Sequence, residues 1–234
     1  MMKKKRRFAI RGWSLGKDII KNLKKDFRIE CRNRYSLNMA LSFGGISVIA
    51  ISLVSSGIPF TVPAQSILLW LIIFFSAMNS MPDIFVREIE QNTVLFLKLN
   101  ASAETVLTSK MIYNILFFCL MLLVITPLYV FFLQVEVKSL MLFILTILTG
   151  GFSIASSTTL LSAMISKAGG KASLFTVISF PVQIPVLWVL ISLTNLSLSQ
   201  TGQSLHPNLL FLLAFSCILI ALSFLLFKSI WLEE

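Results

Sequence analysis

Charged side chains are scarce in this sequence, and long stretches contain none. Asp, Glu, Lys and Arg make up 13% of the 234 residues, whereas 56% of the residues are hydrophobic. A soluble domain carries roughly 25% charged residues. The composition therefore excludes an ordinary soluble domain and predicts an integral membrane protein with a single membrane domain.

Six apolar runs of near spanning length follow one another along the chain. A helix needs about 20 apolar residues to cross the hydrocarbon core of a bilayer. The predicted fold class is therefore an all-α membrane protein with six transmembrane helices. The predicted spans are residues 37–57, 64–81, 111–132, 140–165, 172–193 and 209–227.

The positions of the basic residues predict the orientation in the membrane. Nineteen of the 20 Lys and Arg residues lie on one side of the bilayer if the N-terminus is inside, and such an excess marks the cytoplasmic side. We therefore predict cytoplasmic N- and C-termini, a basic arm over 1–36, a six-helix membrane domain over 37–231 and a tail over 232–234. The net charge of +10, concentrated beside a span, indicates anionic lipid headgroups rather than nucleic acid as a partner.

Ionisable residues are missing from the interior of the six runs. Ion-coupled transporters and pumps need such residues, and intramembrane enzymes need positioned nucleophiles, bases or metal ligands. The absence excludes an enzyme and a self-powered transporter, whereas a pore lined by carbonyls or hydroxyls stays open. If the protein moves a substrate, we expect a partner to supply the energy.

The segment SKAGGK between the fourth and fifth runs superficially resembles a phosphate-binding loop. It lacks the first glycine of that motif, and Ala172 stands where Ser or Thr would bind magnesium. We predict a tight cytoplasmic turn instead, in which the two glycines supply unusual backbone angles. Its residues are Lys167, Gly169, Gly170 and Lys171.

Histidine occurs once, and none of the three cysteines is placed to form a disulfide. His206 precedes Pro207 in the last outer loop. An imidazole there is a weak candidate haem ligand, because a single His in a polar loop is more often an ordinary exposed residue. No bound cofactor or metal is expected in this chain.

The basic arm contains a second membrane feature, an amphipathic helix that we expect to lie in the bilayer interface. Its basic side carries several Lys and Arg residues between Lys17 and Arg32, and a solvated basic tail is the alternative interpretation. The apolar side is formed by Trp13, Ile19, Ile20, Leu23, Phe27 and Cys31.

The inner connection between the second and third runs, residues 82–110, mixes charges with apolar residues. Contiguous apolar residues in a cytoplasmic loop usually need cover, so docking of a partner is favoured over a loop against the bilayer. Asn100 or Ser102 is expected to cap the next helix, with Glu104 in its first turn. The docking candidates are Arg87, Glu88, Glu90, Asn92, Val94, Leu95, Phe96 and Leu97.

The fifth run contains FPVQIPVL, with Pro181 and Pro185 on either side of Gln183. Each proline removes a backbone hydrogen bond and kinks the helix. The freed carbonyls and the glutamine need partners in the protein or in a wet cavity. A hinge or transport pathway and a static kink are equally compatible with this pattern.

Three of these segments resemble those of the haem exporter protein B (CcmB) family. FVREIEQNTVLFL is similar to its acidic, Phe-led inner segment, with Glu88 at a matching acidic position. KAGGK is similar to its basic double-glycine turn, and FPVQIPVL to its twin-proline motif. The chain departs from the family pattern at Asn92, where glycine is usual, at Leu95 or Phe96, where an acidic residue is usual, and in NASAET, where prolines are common.

The resemblance implies an ABC-2 type permease of a bacterial inner membrane, paired with a separate ATP-binding subunit that uses ATP. It also implies work beside a haem-handling membrane protein and a periplasmic haem chaperone, with haem as a cargo. A homodimer is an arrangement that the sequence leaves open. Two alternatives are an ABC-2 permease for lipid, glycan or drug, and a non-transporting scaffold of the haem-delivery complex.

Overall fold

The computed structural model describes residues 15–55, 57–80, 102–167, 172–199 and 206–232. These residues form helices joined by short connections, without a β-strand among them. The helices, in chain order, are α1 (Leu15–Asn33), α2 (Tyr35–Ser55), α3 (Val62–Ser80), α4 (Ala103–Phe132), α5 (Leu140–Lys167), α6 (Ala172–Ser199) and α7 (His206–Leu232).

The prediction of six spans in an all-helical protein is confirmed. Helices α2 to α7 are each long and apolar enough to cross a membrane. The third span departs most from expectation, since α4 begins eight residues before the predicted start at Met111. Its 30 residues extend about 45 Å, whereas the hydrocarbon core is about 30 Å thick. Part of α4 therefore projects beyond the core.

A capping residue explains where α4 begins. Ser102 has extended backbone angles, φ −76° and ψ 153°, and its side chain accepts a hydrogen bond from the Thr105 amide. Glu104 lies in the first turn, where a negative charge is favourable next to the helix N-terminus. The predicted cap at Ser102 is confirmed.

Helix α5 lies at the centre of the bundle, in contact with α4, α6 and α7, while α3 packs against α2 and α6. Glycine permits two of these approaches. A Cβ at Gly150 would overlap Trp70 and Leu190, and a Cβ at Gly151 would overlap Leu122. Small residues let helix backbones approach closely in membranes.

Hydrogen bonds made by side chains join the helices where the bundle is buried. The Trp70 indole donates to Thr194 Oγ1 over 2.7 Å, which connects α3 to α6. The Tyr129 hydroxyl donates to the Gln65 carbonyl over 2.7 Å, which connects α4 to α3. Interhelical hydrogen bonds and tight packing stabilise bundles in lipid, because the hydrophobic effect does not drive helices together there.

Candidate functional site

The structure describes only part of the sites predicted from the sequence. Lys167 is the last residue of α5, and His206 is the first residue of α7. The twin-proline stretch lies within α6. The remaining predicted residues lie outside the described part of the chain: Arg87, Glu88, Glu90, Asn92, Val94, Leu95, Phe96, Leu97, Gly169, Gly170 and Lys171.

The twin prolines and the glutamine between them lie on opposite sides of α6. Pro181 and Pro185 are exposed on the outside of the bundle, as residues four apart on one helix face should be. Gln183 is fully buried. The prolines interrupt the backbone hydrogen bonds on the outer side of α6, and the amide joins the helix to the bundle on the inner side.

Gln183 reaches across to α5 and binds Ser157. Its Nε2 donates to Ser157 Oγ. The Ser157 hydroxyl in turn donates to backbone carbonyls of its own helix, with Oγ 3.1 Å from the Ser153 oxygen and 2.9 Å from the Ile154 oxygen. Since that proton is already used, the serine oxygen can only accept from Gln183, which sets the orientation of the amide.

A second buried amide approaches the same turn of α5 from α4. Asn114 is fully buried, and its Nδ2 donates to the Ala155 carbonyl over 3.1 Å, to Thr158 Oγ1 over 3.1 Å and to Thr159 Oγ1 over 2.8 Å. The sequence analysis did not single out this residue. The available signal was an isolated Asn in the otherwise apolar start of the third span.

The amides and hydroxyls form one layer across three helices, which we call the polar layer (Asn114, Ser157, Thr158, Thr159 and Gln183). Asn114 and Gln183 are each eleven residues from the first residue of their helix, and Ser157 is ten from the last residue of α5. All three therefore lie about 15–17 Å from the helix ends predicted to be cytoplasmic. The layer is part of three predicted spans and carries no formal charge.

The hydroxyl groups of the Ser156–Thr159 cluster all bond back to their own helix. Each of them donates to a carbonyl of α5, as with Thr159 Oγ1 to the Ala155 oxygen over 2.7 Å. The cluster also accepts from α4 and α6 through the polar layer. One turn away, Ser153 Oγ lies 2.7 Å from Ser216 Oγ of α7. Chemically, these groups can hold helices together and offer hydrogen bonds.

A charged contact joins α1 to α4 near the predicted docking segment. Lys110 Nζ lies 3.3 Å from Asp26 Oδ1, and Glu30 Oε1 accepts a hydrogen bond from the Leu37 amide over 3.1 Å. Asp26, Glu30 and Lys110 are all buried. The sequence alone did not single out Asp26 and Glu30. Their spacing of four residues puts both on one side of a mostly basic helix, which is the pattern that could have indicated a buried contact.

The predicted helix in the basic arm exists as α1, but its apolar side is divided between two environments. Ile19 and Leu23 are half-buried, on the side of α1 that carries Asp26 and Glu30. Ile20 is 63% exposed. Phe27 is 42% exposed, and its ring packs edge-on against Tyr113 of α4. Trp13 lies outside the described residues.

Within the described ranges, no three His, Cys, Asp or Glu side chains are grouped closely enough to hold a metal ion. The comparisons with known proteins give one result. A family model described as CcmB protein matches residues 17–229, which is nearly the whole chain. No similar curated protein and no similar solved structure is found.

Proposed function

This chain belongs to the CcmB family, and from that premise we propose that it is the permease subunit of an ABC-type complex in c-type cytochrome biogenesis. The family supports a membrane permease in haem export, and the six apolar helices support a multi-pass membrane protein. The finer proposal is that a separate ATP-binding subunit drives it in a bacterial inner membrane, with both termini cytoplasmic.

The observation that carries this proposal is the family match over residues 17–229, which includes the three segments that resemble the family and all six predicted spans. The buried chemistry of the described residues supports a mechanical role. The polar layer consists of amides and hydroxyls, groups that hold and release helices without breaking covalent bonds. The energy is therefore proposed to come from ATP hydrolysis in the partner.

We place the docking of the ATP-binding subunit on the segment between α3 and α4. Support comes from the two ends of that segment, because α3 ends at Ser80 and α4 begins at Ala103. If the ATP-binding subunit moves this segment, the movement would be transmitted to the bundle by α4, which contains both Lys110 and Asn114. It would also reach α1, since Asp26 is paired with Lys110.

We further propose that α6 is the element that moves within the bundle. The missing backbone hydrogen bonds at Pro181 and Pro185 lower the cost of bending. Bending of α6 would break the hydrogen bond between Gln183 and Ser157 and form it again on return. The double-glycine turn (Lys167, Gly169, Gly170 and Lys171) precedes α6 and is proposed as its inner anchor.

Haem is the proposed cargo, and a haem-handling membrane protein and a periplasmic haem chaperone are the proposed neighbours. Self-association into a homodimer is compatible with this arrangement. His206 begins α7, which places it beside the predicted outer loop, where cargo would leave. A single imidazole there would supply only one axial ligand to haem.

The test is deletion of the gene, complemented with the wild type or with variants of the docking segment. We expect deletion to abolish c-type cytochromes and to change the amount of haem-loaded chaperone. Glu88→Ala, or replacement of Val94 to Leu97 by serine, should weaken co-purification of the ATP-binding subunit. Glu136→Ala, at an exposed acidic residue of the predicted outer side, is the matched control.

Normal cytochrome c levels in the deletion strain would favour an ABC-2 permease for another cargo, as would neighbouring genes for glycan export or drug resistance. Unchanged co-purification and unchanged cytochrome c in the docking variants would refute the proposed docking site. A pure scaffold would tolerate Gln183 variants that leave the complex assembled, so loss of cytochrome c with an intact complex argues against it.

A further inference from the structure

Helix α1 presents three different surfaces: one is buried against the bundle, one is apolar and only partly covered, and one is basic and exposed. Asp26 and Glu30 face α4 and the start of α2. On an α-helix each residue advances by about 100°. Arg28 therefore points about 180° away from the midpoint of the two acidic residues, with Lys24 and Arg32 about 40° to either side. These three basic residues are exposed, and we call them the basic stripe.

The third surface of α1 is apolar and lies between the other two. Ile20 and Phe27 are about 80–100° around the helix from the acidic midpoint, and both are exposed. Cys31 extends the same surface and is also exposed. One side of α1 thus faces the bundle, the apolar residues lie about a quarter of the way around the helix, and the basic residues lie opposite the bundle. This arrangement is typical of a helix in the interface between lipid and water.

Chain continuity places the C-terminal end of α1 at the membrane surface. A single non-helical residue, Arg34, with φ of 48°, separates α1 from α2. The 21 residues of α2 extend about 31 Å, which just spans the hydrocarbon core. Tyr35 therefore lies at the boundary of the core, and the last turn of α1 lies within a few ångströms of the headgroups.

The depth of the contacts on α4 leads to the same position independently. The hydrocarbon core takes about 20 helical residues, so counting back from Phe132 brings its inner boundary to about residue 112. The α4 residues that α1 contacts include Lys110, paired with Asp26, and Tyr113, whose ring centroid is 6.1 Å from that of Phe27. The middle of α1 therefore lies at the inner boundary as well.

We propose that the basic stripe is a binding surface for anionic phospholipid of the same membrane leaflet, with Ile20 and Phe27 in the acyl region. The occupant follows from position and charge together. Headgroup phosphates lie at the depth of the stripe, and three cations directed outward along one side of a helix complement them. The buried Asp26–Lys110 pair sets the rotation that points the stripe outward. The surface does not depend on which cargo is moved.

The experiment compares lipid binding to the full chain, purified and delipidated in detergent, by native mass spectrometry. The probes are phosphatidylglycerol and phosphatidylcholine of identical acyl chains. The variant is K24Q/R28Q/R32Q, and the control is K3Q/K4Q/K5Q, which removes the same charge elsewhere in the arm. We expect affinity for phosphatidylglycerol to fall at least tenfold in the variant and less than twofold in the control, since each nearby basic residue contributes about fivefold.

A second measurement locates α1 without changing the stripe. C119A/C217A leaves Cys31 as the single site for a nitroxide label in vesicles with phosphatidylglycerol. We expect oxygen to be a stronger relaxation agent than a water-soluble nickel complex at that label. Equal losses of phosphatidylglycerol in the variant and the control, or a water-exposed label, would overturn the proposal. So would unchanged lipid binding with loss of the ATP-binding subunit, which would make the stripe a protein-docking surface.

Discussion

Asp26 of α1 and Lys110 of α4, 84 positions apart in the sequence, form an ion pair in which Oδ1 and Nζ are 3.3 Å apart. Asp26 is 8% exposed and Lys110 is 5% exposed. Lys25 lies 3.8 Å from the same carboxylate oxygen but is far more exposed. The buried pair therefore connects the arm that precedes the first span to the helix that follows the predicted docking segment.

Breaking this pair on one side should destabilise the protein more than removing both charges. We expect Lys110→Met or Asp26→Asn alone to lower the free energy of unfolding by about 3 kcal/mol, because the remaining charge stays buried and loses the opposite charge of the pair. The double variant D26N/K110M should recover most of that loss. The free energy of unfolding of all three variants is measured on the purified proteins in detergent. A loss in the double variant equal to the sum of the two single losses would contradict the pairing.

The neighbouring glycines of α2 should respond oppositely to alanine. A Cβ at Gly44 would overlap Ile125 and crowd Ser76 Oγ at 3.0 Å, whereas a Cβ at Gly45 would have nothing within 4 Å. We expect Gly44→Ala to cost about 1–3 kcal/mol through overpacking. Gly45→Ala should be neutral or mildly stabilising, because alanine is the better helix former.

The measurement is the thermal unfolding temperature of both variants in the same detergent. Gly44→Ala changes a packing contact of α2, whereas Gly45→Ala changes none. Similar losses in both would show that the α2–α4 contact is not as close as the structure has it. Only Gly44 of this doublet is required by packing, because the space at Gly45 is open.

Asn114 should contribute to stability through its amide. Replacing it with leucine, which has a similar volume, removes donation to three acceptors of α5. Interhelical hydrogen bonds in membranes contribute about 0.6 kcal/mol on average, so we expect Asn114→Leu to lower stability by about 1 kcal/mol. Leu116→Ile, at an exposed position of the same helix, is the control. If the Asn114→Leu variant is as stable as the wild type, the hydrogen bonds of Asn114 do not contribute to stability.

The twin prolines should matter for activity more than for assembly. We expect P181A/P185A to restore backbone hydrogen bonding and stiffen α6, which raises thermal stability slightly and lowers the yield of c-type cytochromes several-fold. Co-purification of the ATP-binding subunit should be retained. The measurement is haem staining of c-type cytochromes beside the co-purification yield, and an unchanged cytochrome yield would support a static kink.

Gln183→Leu tests the inner side of the same helix segment. It removes the donor to Ser157 while leaving both prolines in place. We expect reduced cytochrome c with an assembled complex, because a buried hydrogen bond between α6 and α5 is lost while their packing remains. Ser192→Ala, whose hydroxyl bonds only within α6 at Trp188, is the matched control. A defect of equal size in the control would indicate general destabilisation.

Local physical chemistry in the sequence was sufficient to predict the fold class. A run of about 20 apolar residues in a chain with so few charges can be satisfied only by a helix across lipid. The six spans therefore needed no knowledge of their neighbours, and neither did the cap at Ser102, which depends on residues three positions apart. The twin-proline stretch and the family resemblance were also readable, since both rest on short contiguous segments.

Only the tertiary structure decided which side of each helix faces the bundle. The spans are apolar all around, so periodicity does not predict their rotation, and residues as similar as Gly44 and Gly45 differ only in what α4 and α3 place beside them. Likewise, Asn114, Gln183 and Asp26 acquire their roles from partners 26 to 84 positions away. A hydrogen bond or ion pair depends on distance in space, and that distance is set by the packing of whole helices rather than by any local stretch of sequence.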